Sequence, residues 1–460
     1  MFRGNLSDLR RGAASSGRAR PSRGFWLGNR GGPYRGRGST GKVHDQTPLG
    51  PLITEFTPED TASATASEGD ARITNCEYAA SYSLTDEKPL KLIVPGQPPA
   101  WKPPALPCLL PKDSGDYLRD HNGALFPDHP IQPAVQALFA LNKKFDTSTI
   151  DIMGCASTLG DILRFVRSID STFRFDVELI GNTLFLIRNC KDDVIPDVYG
   201  YGHSFLDAFT SSDPNGGTIK SHQRVVSYDF GGLKCLVRFE CDGRFIGEDT
   251  HDTPVTELPF DTSPQELPGS ITLHKAGTVV PQNSVLEIKT KSARGVIEKS
   301  DHLPRLWVRQ IPHLITSYHV QGTFKDFKIE DIRKESTEWE TQHQDELKKF
   351  ASVLRQLITE IKKVSHLKLE LYRAGTGPLQ LRERRGAPRQ ALPRSLEDRW
   401  IAPPKSTPEY AVGRDDSDED SETYPSSRAS SEGSYVSAAD FSFDYTACSP
   451  DCGYCGRCAY

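Results

Sequence analysis

The sequence of 460 residues lacks long hydrophobic runs and lacks the motifs of several common hydrolases. No stretch approaches the roughly 18 to 20 apolar residues that span a bilayer, and the first residues lack the apolar centre of a secretory signal. The 12 histidines form no HExxH zinc motif, and no GxSxG motif marks a serine hydrolase. These absences argue against a helical membrane protein, a zinc protease and a serine hydrolase. We expect a soluble intracellular protein, nuclear or cytoplasmic.

Hydrophobic residues are also scarce, at 36% of the chain, and the mean hydropathy is −0.50. With 37 glycines and 33 prolines, this composition is too polar for a chain that folds throughout. The composition places the unfolded parts at the ends. We predict a disordered Arg/Gly-rich arm at 1–50, a single domain at 75–375 with its core at 200–330, a disordered linker and acidic tail at 376–446, and a cysteine-rich tail at 447–460.

The two predicted arms carry opposite charges. Residues 1–42 hold nine arginines and Lys42 against the single acid Asp8, whereas "DDSDEDSE" at 415–422 has six acids in eight positions. Arginine, glycine and interleaved aromatic residues attract phosphates and stack on bases, so the first arm predicts an RNA partner. A tail without a partner and a mitochondrial transit peptide are the alternatives. For the acidic tail we expect a protein partner.

Ten cysteines divide into a scattered set and a clustered set. The scattered six suit reduced core thiols better than a secreted disulfide framework. The clustered four are Cys448, Cys452, Cys455 and Cys458. Thiolates at this spacing predict a Zn²⁺ site or, as a second choice, an iron–sulfur cluster, with unliganded cysteines as the alternative.

Periodicity predicts an α+β or α/β fold with a mixed, mostly antiparallel sheet flanked by helices. Apolar spacing indicates helices at 133–145 and at 157–169, the second with Ser157 as its N-cap, and a long amphipathic helix near 347–361. Alternation indicates a hairpin at 173–189, strands on either side of Gly231-Gly232, a strand at 285–290 and a last strand at 366–373. Residues 243–283 lack periodicity and predict a surface loop.

Two strand-like runs, "VRFECDGR" and "SVLEIKTKS", carry the chemistry. Alternate side chains of a strand share a face, so Glu240 and Asp242 point one way, and Glu287 and Lys289 also share a side. Carboxylate oxygens are ligands for Mg²⁺ or Mn²⁺, and a nearby ammonium can hold a water or offset charge in phosphodiester hydrolysis. The combination predicts a metal-dependent nuclease site.

The series "RFECD", "LEIKT" and "LWVRQIPHLITSYHVQG" resembles the decapping and exoribonuclease family of RNA 5′-end quality control, in the PD-(D/E)xK nuclease-like superfamily. The resemblance implies a nuclease-like fold and divalent-metal cleavage of incompletely capped RNA 5′ ends, with degradation from that end. It also implies site roles. Asp242 and Glu287, helped by the carbonyl of Ile288, would bind metal, Glu240 would act through a metal-bound water, and Lys289 and Gln310 would position the attacking water.

The sequence departs from this family's pattern upstream. Where the family places a glutamate after a glycine turn, this chain has Leu206, followed by Asp207. Either Asp207 substitutes as a metal ligand or the first acid is missing. Candidates for the family's upstream arginine are Arg164, Arg167 and Arg224. Over the whole chain, the signatures "SYSLTDEKPLKLIVPGQPPAW" and "YDFGGLKCLVRFE" are similar to uncharacterised fungal proteins.

Three other interpretations remain open. Alternating charges also fit a half-exposed antiparallel sheet, in which Glu287 and Lys289 pair with neighbours and do no chemistry. A non-catalytic RNA- or protein-binding module on a degenerate nuclease fold is the main alternative. The remote alternative is an isoprenyl diphosphate synthase-like protein, from the DDxxxD pattern at 192–197, although Pro196 interrupts that motif.

Overall fold

The structure is a computed structural model that describes residues 47–57, 69–85, 87, 90–118, 120–189, 194–195, 198–211, 219–246, 253–254 and 271–402. The Arg/Gly-rich segment before residue 47, the aspartates of the DDxxxD pattern, the acidic tail and the cysteine tail lie outside these residues. Within them, no helix is both long enough and apolar enough to cross a membrane.

The elements alternate between strands and helices along the chain. The strands are β1 (Leu52–Phe56), β2 (Ile73–Thr85), β3 (Leu90–Gly96), β4 (Ala100–Trp101), β5 (Cys108–Leu109), β6 (Tyr117–Leu118), β7 (Ile152–Cys155), β8 (Phe173–Ile180), β9 (Thr183–Ile187), β10 (Val194–Ile195), β11 (Thr210–Ser211), β12 (Ile219–Phe230), β13 (Leu233–Glu240), β14 (Gly243–Arg244), β15 (Thr253–Pro254), β16 (Ile271–Val279), β17 (Val285–Ser292), β18 (His313–Val320), β19 (Thr323–Phe324), β20 (Lys328–Asp331), β21 (Leu369–Arg373) and β22 (Leu379–Glu383). The helices are α1 (His121–Leu125), α2 (Gln132–Leu141), α3 (Ala156–Val166), α4 (Gly202–Phe209), α5 (Lys299–Arg309), α6 (Arg333–Gln342), α7 (Gln344–Lys363) and α8 (Arg394–Ile401).

A 12-stranded sheet forms the main layer, in the order β1-β22-β21-β8-β9-β7-β13-β12-β2-β3-β16-β15. Most neighbours are antiparallel, but β7 runs parallel to both β9 and β13. The predicted hairpin turns at Gly181, and the β12–β13 hairpin turns at Gly231, which has φ +54°. A Cβ at Gly231 would lie 2.4 Å from the Ala351 Cβ on α7, so a side chain there would push the long helix off the sheet.

A second sheet has the order β11-β4-β14-β17-β18-β19-β5, with β20 paired to β18. Strands β17 and β18 are parallel, and α5 forms the crossover between them. The short strand β14 follows β13 of the main sheet after two residues, and it pairs with β17 of the second sheet. The end of β13 therefore lies next to the strand that holds Glu287 and Lys289.

Helices cover both faces of the main sheet, and a smaller apolar cluster fills the second sheet. Residues of α3, α5 and α7 share one buried cluster with the sheet, and residues of α2 and α8 share another on its opposite face. The predicted stripe of α7 is buried throughout and consists of Leu347, Phe350, Leu354, Leu357, Ile358 and Ile361. The predicted fold class, a mixed and mostly antiparallel sheet flanked by helices, is confirmed.

Two local predictions are wrong. The N-cap of α3 is Cys155 rather than Ser157, because the helix begins at Ala156, two residues earlier than an N-cap at Ser157 implies, and Ser157 lies inside its first turn. The predicted surface loop at 243–283 contains β14, β15 and β16, and β16 pairs in parallel with β3. The sequence of β16, "ITLHKAGTV", shows too little apolar alternation to predict a strand. Strands near the edge of a sheet need fewer apolar residues, and β16 is next to the last strand.

The predicted disordered linker from residue 376 also differs from the structure. Residues 379–383 form β22 and residues 394–401 form α8, and β22 in turn pairs with β1, which lies before the predicted domain start at 75. The segment "RERRGAPRQALPR" has the composition of a linker, but at least one of its arginines is buried in the fold. The Arg384 side chain is only 3% exposed.

A buried ion network holds this C-terminal segment to the main sheet. Glu370 on β21, with a fully buried side chain, accepts hydrogen bonds from Arg174 Nε at 2.7 Å and from Arg384 Nη1 at 2.6 Å. Arg384 Nε also lies 3.2 Å from Asp176 Oδ1 on β8. Taking these charges out of water is costly, so each depends on its partners.

We predict that Glu370→Gln lowers the free energy of unfolding by about 3–5 kcal/mol, because it leaves two guanidiniums buried without their shared carboxylate. The measurement is equilibrium unfolding in urea. The matched control is Glu383→Gln, at a half-buried position near the end of β22, for which we expect a change below about 1 kcal/mol. Equal stability of the two variants would contradict the role given to the network.

Candidate active site

A pocket of about 860 Å³ lies at the carboxyl ends of the three parallel strands of the main sheet. Cys155 ends β7, Arg188 follows β9 and Glu240 ends β13, and all three line the pocket. Strand β17 of the second sheet contributes Glu287 and Lys289 to the same pocket. Ligands of α/β sheets commonly bind beyond the carboxyl ends of the strands, so the pocket lies where the fold favours a site.

Most of the side chains predicted for the site line this pocket. They are Asp207, Glu240, Asp242, Glu287 and Lys289. Gln310 does not line it, because its Nε2 donates to the Trp307 carbonyl at 2.6 Å. Trp307 itself is buried in the main core, where its indole N–H donates to Glu340.

Glu287 is a buried carboxylate held by two cations. Lys289 Nζ lies 2.7 Å from its Oε1, and Arg309 Nη1 donates to Oε1 at 3.2 Å and to Oε2 at 3.0 Å. Burial alone would raise the pKa of Glu287, but Lys289 and Arg309 outweigh it and lower the pKa to about 2. Glu287 is therefore ionised near neutral pH.

Asp242 lies next to Glu287 because of the register of β14. Gly243 pairs with Leu286, and Asp242 Oδ2 accepts a hydrogen bond of 2.8 Å from the Ile288 backbone N–H. Burial, followed by the negative charge of Glu287, raises the pKa of Asp242 to about 7. Two neighbouring carboxylates thus differ strongly in their proton affinity.

Glu240 projects into the pocket from the end of β13. Its side chain is accessible from the pocket, yet protein surrounds the pocket, and this enclosure together with the negative charge of Asp120 raises the pKa of Glu240 to about 7. The positive charge of Arg309 acts on Glu240 as well as on Asp242 and Glu287. Arg309 is therefore a shared electrostatic neighbour of the three carboxylates.

A second ion cluster in the pocket was not predicted. Asp120 Oδ2 lies 3.2 Å from Arg238 Nη2 and 3.5 Å from Arg188 Nη1, and Arg238 Nη1 donates to Gln223 Oε1 at 2.9 Å. Burial opposes ionisation, but the two arginines hold the pKa of Asp120 well below its usual range. Arg238 is two positions before Glu240 on β13, so the alternation of side chains predicts that both point to the same face. No pattern in the neighbouring sequence predicts a site role for Asp120 or Arg188.

The arginines proposed from the sequence lie elsewhere. Arg224 donates to the Gln282 side chain and to the Val280 carbonyl, and Arg167 pairs with Glu346; neither these arginines nor Arg164 line the pocket. The missed residue with the clearest sequence signal is Arg309. It directly precedes Gln310 and ends α5, so the helix directs the arginine, not the glutamine, toward the site.

Asp207 lines the same pocket from α4. Burial and the charge of Asp113 raise its pKa, and Lys220 opposes them. The structure brings Asp242, Glu287 and Lys289 into direct electrostatic contact, whereas Glu240 and Asp207 line the pocket with Asp120 and Asp113, respectively, as their principal acidic neighbours.

The chain matches the family model described as "Domain of unknown function (DUF8563)" over residues 60–370. The chain belongs to this family. No curated protein matches the sequence.

Solved structures are similar to this chain. Scheffersomyces stipitis Rai1, in complex with (3′-NADP)⁺ and calcium ion, has a TM-score of 0.50 at 12% identity, covering 77% of this chain and 99% of that chain. Candida albicans Rai1 in complex with pU5-Mn²⁺ has a TM-score of 0.48 at 11% identity, covering 75% and 98%. K. lactis Dxo1 in complex with manganese has a TM-score of 0.42 at 10% identity, covering 74% and 96%. The resemblance predicted from the motifs is confirmed for the fold.

In this member of DUF8563, the carboxylate oxygens of Asp242 and Glu287 are of the type that binds a hard divalent cation, but they do not form a complete set of metal ligands. Across the residues that the structure describes, no three His, Cys, Asp or Glu side chains are grouped so that they could hold a metal ion. Asp242 and Glu287 are adjacent oxygen donors whose mutual repulsion a cation would relieve. Lys289 and Arg309 already compensate Glu287, so a cation would have to share it with them.

We predict that Asp242 makes the metal-free protein more stable at pH 6 than at pH 8. The raised pKa means that the folded state holds a proton which the unfolded chain has released, so this stabilisation is lost as pH rises through about 7. Asp242→Asn should remove about 1 kcal/mol of the difference. Urea unfolding in EDTA at both pH values measures it, with the exposed Asp326→Asn as control. An unchanged difference in Asp242→Asn would refute the raised pKa.

Proposed function

We propose that this protein is a divalent-cation-dependent hydrolase of RNA 5′ ends. The observation that supports this most is the convergence of Glu240, Asp242, Glu287 and Lys289 in one pocket at the carboxyl edge of the sheet. The fold shared with Rai1 supports a nuclease-like class of function. The proposed bonds are phosphoanhydride bonds at the 5′ end, as in decapping, or 5′-terminal phosphodiester bonds.

In this proposal Asp242 and Glu287 hold Mg²⁺ or Mn²⁺. When bound, the cation would supply charge stabilisation for a phosphate and would activate a water. Lys289 and Arg309 keep Glu287 ionised, and Lys289 is the group that orients the attacking water. Glu240, with a pKa of about 7, can accept a proton near neutral pH, which is the requirement for a general base.

The Asp120 cluster suits the substrate's phosphates. Arg188 and Arg238 both pair with Asp120, and both line the pocket. Guanidiniums bind phosphate oxygens in a bidentate manner, so two of them in the pocket lining favour an RNA end that enters the pocket. The Arg/Gly-rich arm would add affinity that weakens with salt.

Two predicted roles have less support in the present geometry. Gln310 would have to give up its hydrogen bond to Trp307 to reach a water in the pocket. Asp207 lines the pocket, but its principal charged neighbours are Asp113 and Lys220. We therefore assign the core of the reaction to Glu240, Asp242, Glu287 and Lys289, and keep Gln310 and Asp207 as secondary proposals.

A second candidate function is a non-catalytic RNA-binding module. The observation that favours it is the position of Arg309, which acts on all three carboxylates and donates to both oxygens of Glu287. A guanidinium there can take the place of a metal ion in charge balance. Leu206 occupies the position at which the decapping and exoribonuclease family has its first acidic residue, and a missing acid fits the same interpretation.

We predict that purified protein with Mn²⁺ hydrolyses 5′-triphosphate, unmethylated-cap or 5′-monophosphate RNA, and that EDTA stops it. Asp242→Asn and Glu287→Gln should each lower the rate by roughly 100-fold or more, since each removes charge stabilisation worth several kcal/mol. The matched control is Glu298→Gln, an exposed glutamate at the start of α5. Hydrolysis that persists in both site variants would refute the assigned site, and RNA binding without hydrolysis under any metal would favour the module.

Arg309→Gln separates the two candidates. If Arg309 supports an enzyme site, we expect the variant to lose hydrolysis and to gain no Mn²⁺ affinity, because Glu287 loses one of the cations that keep it ionised. If Arg309 substitutes for a metal, removing it should instead increase Mn²⁺ affinity. Isothermal titration with Mn²⁺ and the RNA assay, run on the same preparations, distinguish these results.

A further inference from the structure

Two aromatic rings form a stack on the pocket wall that the proposed reaction does not use. The rings of Tyr117 and His203 lie 3.6 Å apart between centroids with an interplanar angle of 15°, and both line the pocket. Tyr117 is half-buried. Since His203 covers one face, the accessible part of the tyrosine ring is open to the pocket.

The stack is fixed by the start of α4. Asp113, which is only 4% exposed, accepts hydrogen bonds from the backbone N–H groups of His203 at 3.1 Å and Ser204 at 2.8 Å. The Asp113 backbone N–H in turn donates to the Gly200 carbonyl at 2.8 Å. Burial lowers the pKa of His203 to about 4, so its ring is uncharged near neutral pH. The tyrosine thus rests on a rigid, neutral support.

Tyr117 is also supported along its backbone. It lies on β6, which pairs with β10 through Tyr117 and Ile195, and Ile195 borders the pocket. Leu118 and Leu125 add apolar surface to the pocket lining. An aromatic face beside apolar side chains, in a pocket otherwise rich in charge, matches a flat apolar ligand group joined to an anionic one.

We propose that Tyr117 is a binding residue on which a nucleobase of the RNA substrate stacks while the phosphates lie toward Arg188 and Arg238. This inference rests on the proposed function, because it assumes that RNA enters the pocket. Base stacking on an aromatic ring tolerates any base, so the protein should show little sequence preference at this nucleotide.

The principal charged neighbours of this platform differ from those of the carboxylate pair. Asp113 and Asp207 are the acids that act on Tyr117, whereas Asp120 acts on Glu240, and Glu287 acts on Asp242. The pocket of about 860 Å³ is near the upper end of the roughly 300–1,000 Å³ typical of ligand sites. This volume accommodates a base at Tyr117 in addition to a phosphate beside Arg188 and Arg238.

The test uses full-length protein in EDTA, so that binding is measured without hydrolysis. The probes are 5′-monophosphorylated RNA pentamers with 2-aminopurine at the first, second or third nucleotide, and the same pentamers with an abasic site there. The proteins are wild type, Tyr117→Phe and Tyr117→Leu. Stacking should quench 2-aminopurine at one of these positions in wild type and in Tyr117→Phe, and Tyr117→Leu should lose the quenching.

Affinity gives an independent measurement. We expect Tyr117→Leu to bind the base-containing pentamer about 10-fold more weakly and to bind the abasic pentamer as wild type does. A loss that is equal for both pentamers, or no quenching at any position, would overturn the platform and leave Tyr117 with a structural role. If wild type hydrolyses RNA with Mn²⁺ but the Tyr117 variants behave as wild type does, only this inference fails. If wild type neither binds RNA in EDTA nor hydrolyses it with Mn²⁺, the proposed function fails with it.

Discussion

The ion pairs of Glu287 with Lys289 and Arg309 are the constraint on which the rest of the pocket depends. A carboxylate in the middle of a buried strand loses its hydration, a cost of several kcal/mol that only well-placed cations offset. Well-packed apolar residues would give similar or greater stability at such a position. The charges at Glu287 and Lys289 are therefore poorly explained by stability alone, which is one argument for the chemical role proposed for them.

This constraint also sets the proton affinities of the other acids. Because Glu287 is held ionised, its negative charge acts on Asp242, and the pKa values of the two acids separate to about 2 and about 7. Neighbouring carboxyls whose pKa values separate in this way can take different tasks in enzymes, one as a fixed charge and one as a group that exchanges protons. The pKa of Glu240, about 7, suits the second task in the function proposed above.

The alternation of side chains predicted which residues share a face of a strand, because it depends only on local geometry. Glu287 and Lys289 share a side of β17, and the stripe of α7 is buried as its spacing predicts. Contacts between distant segments could not be predicted in this way. Asp120 and Arg238 are 118 positions apart in the sequence. Arg309, rather than Gln310, lines the pocket, because α5 ends at Arg309 and Gln310 has a left-handed backbone conformation with φ +53°.

The strand β22 was missed for a related reason. The charged segment that follows it resembles a linker, but Arg384 is buried by its ion pairs with residues of β8 and β21.

The pocket has two walls with different structural origins. The acids and their cations come mainly from β13, β17 and α5, which belong to the sheets and their crossover helix and are fixed by the buried core. Tyr117, His203 and Asp207 come from β6 and α4, elements of two and eight residues beside short loops. Substitutions in such elements disturb little of the buried core, so we expect the wall with Tyr117 to tolerate change more readily than the ends of β13 and β17, whose charges depend on one another.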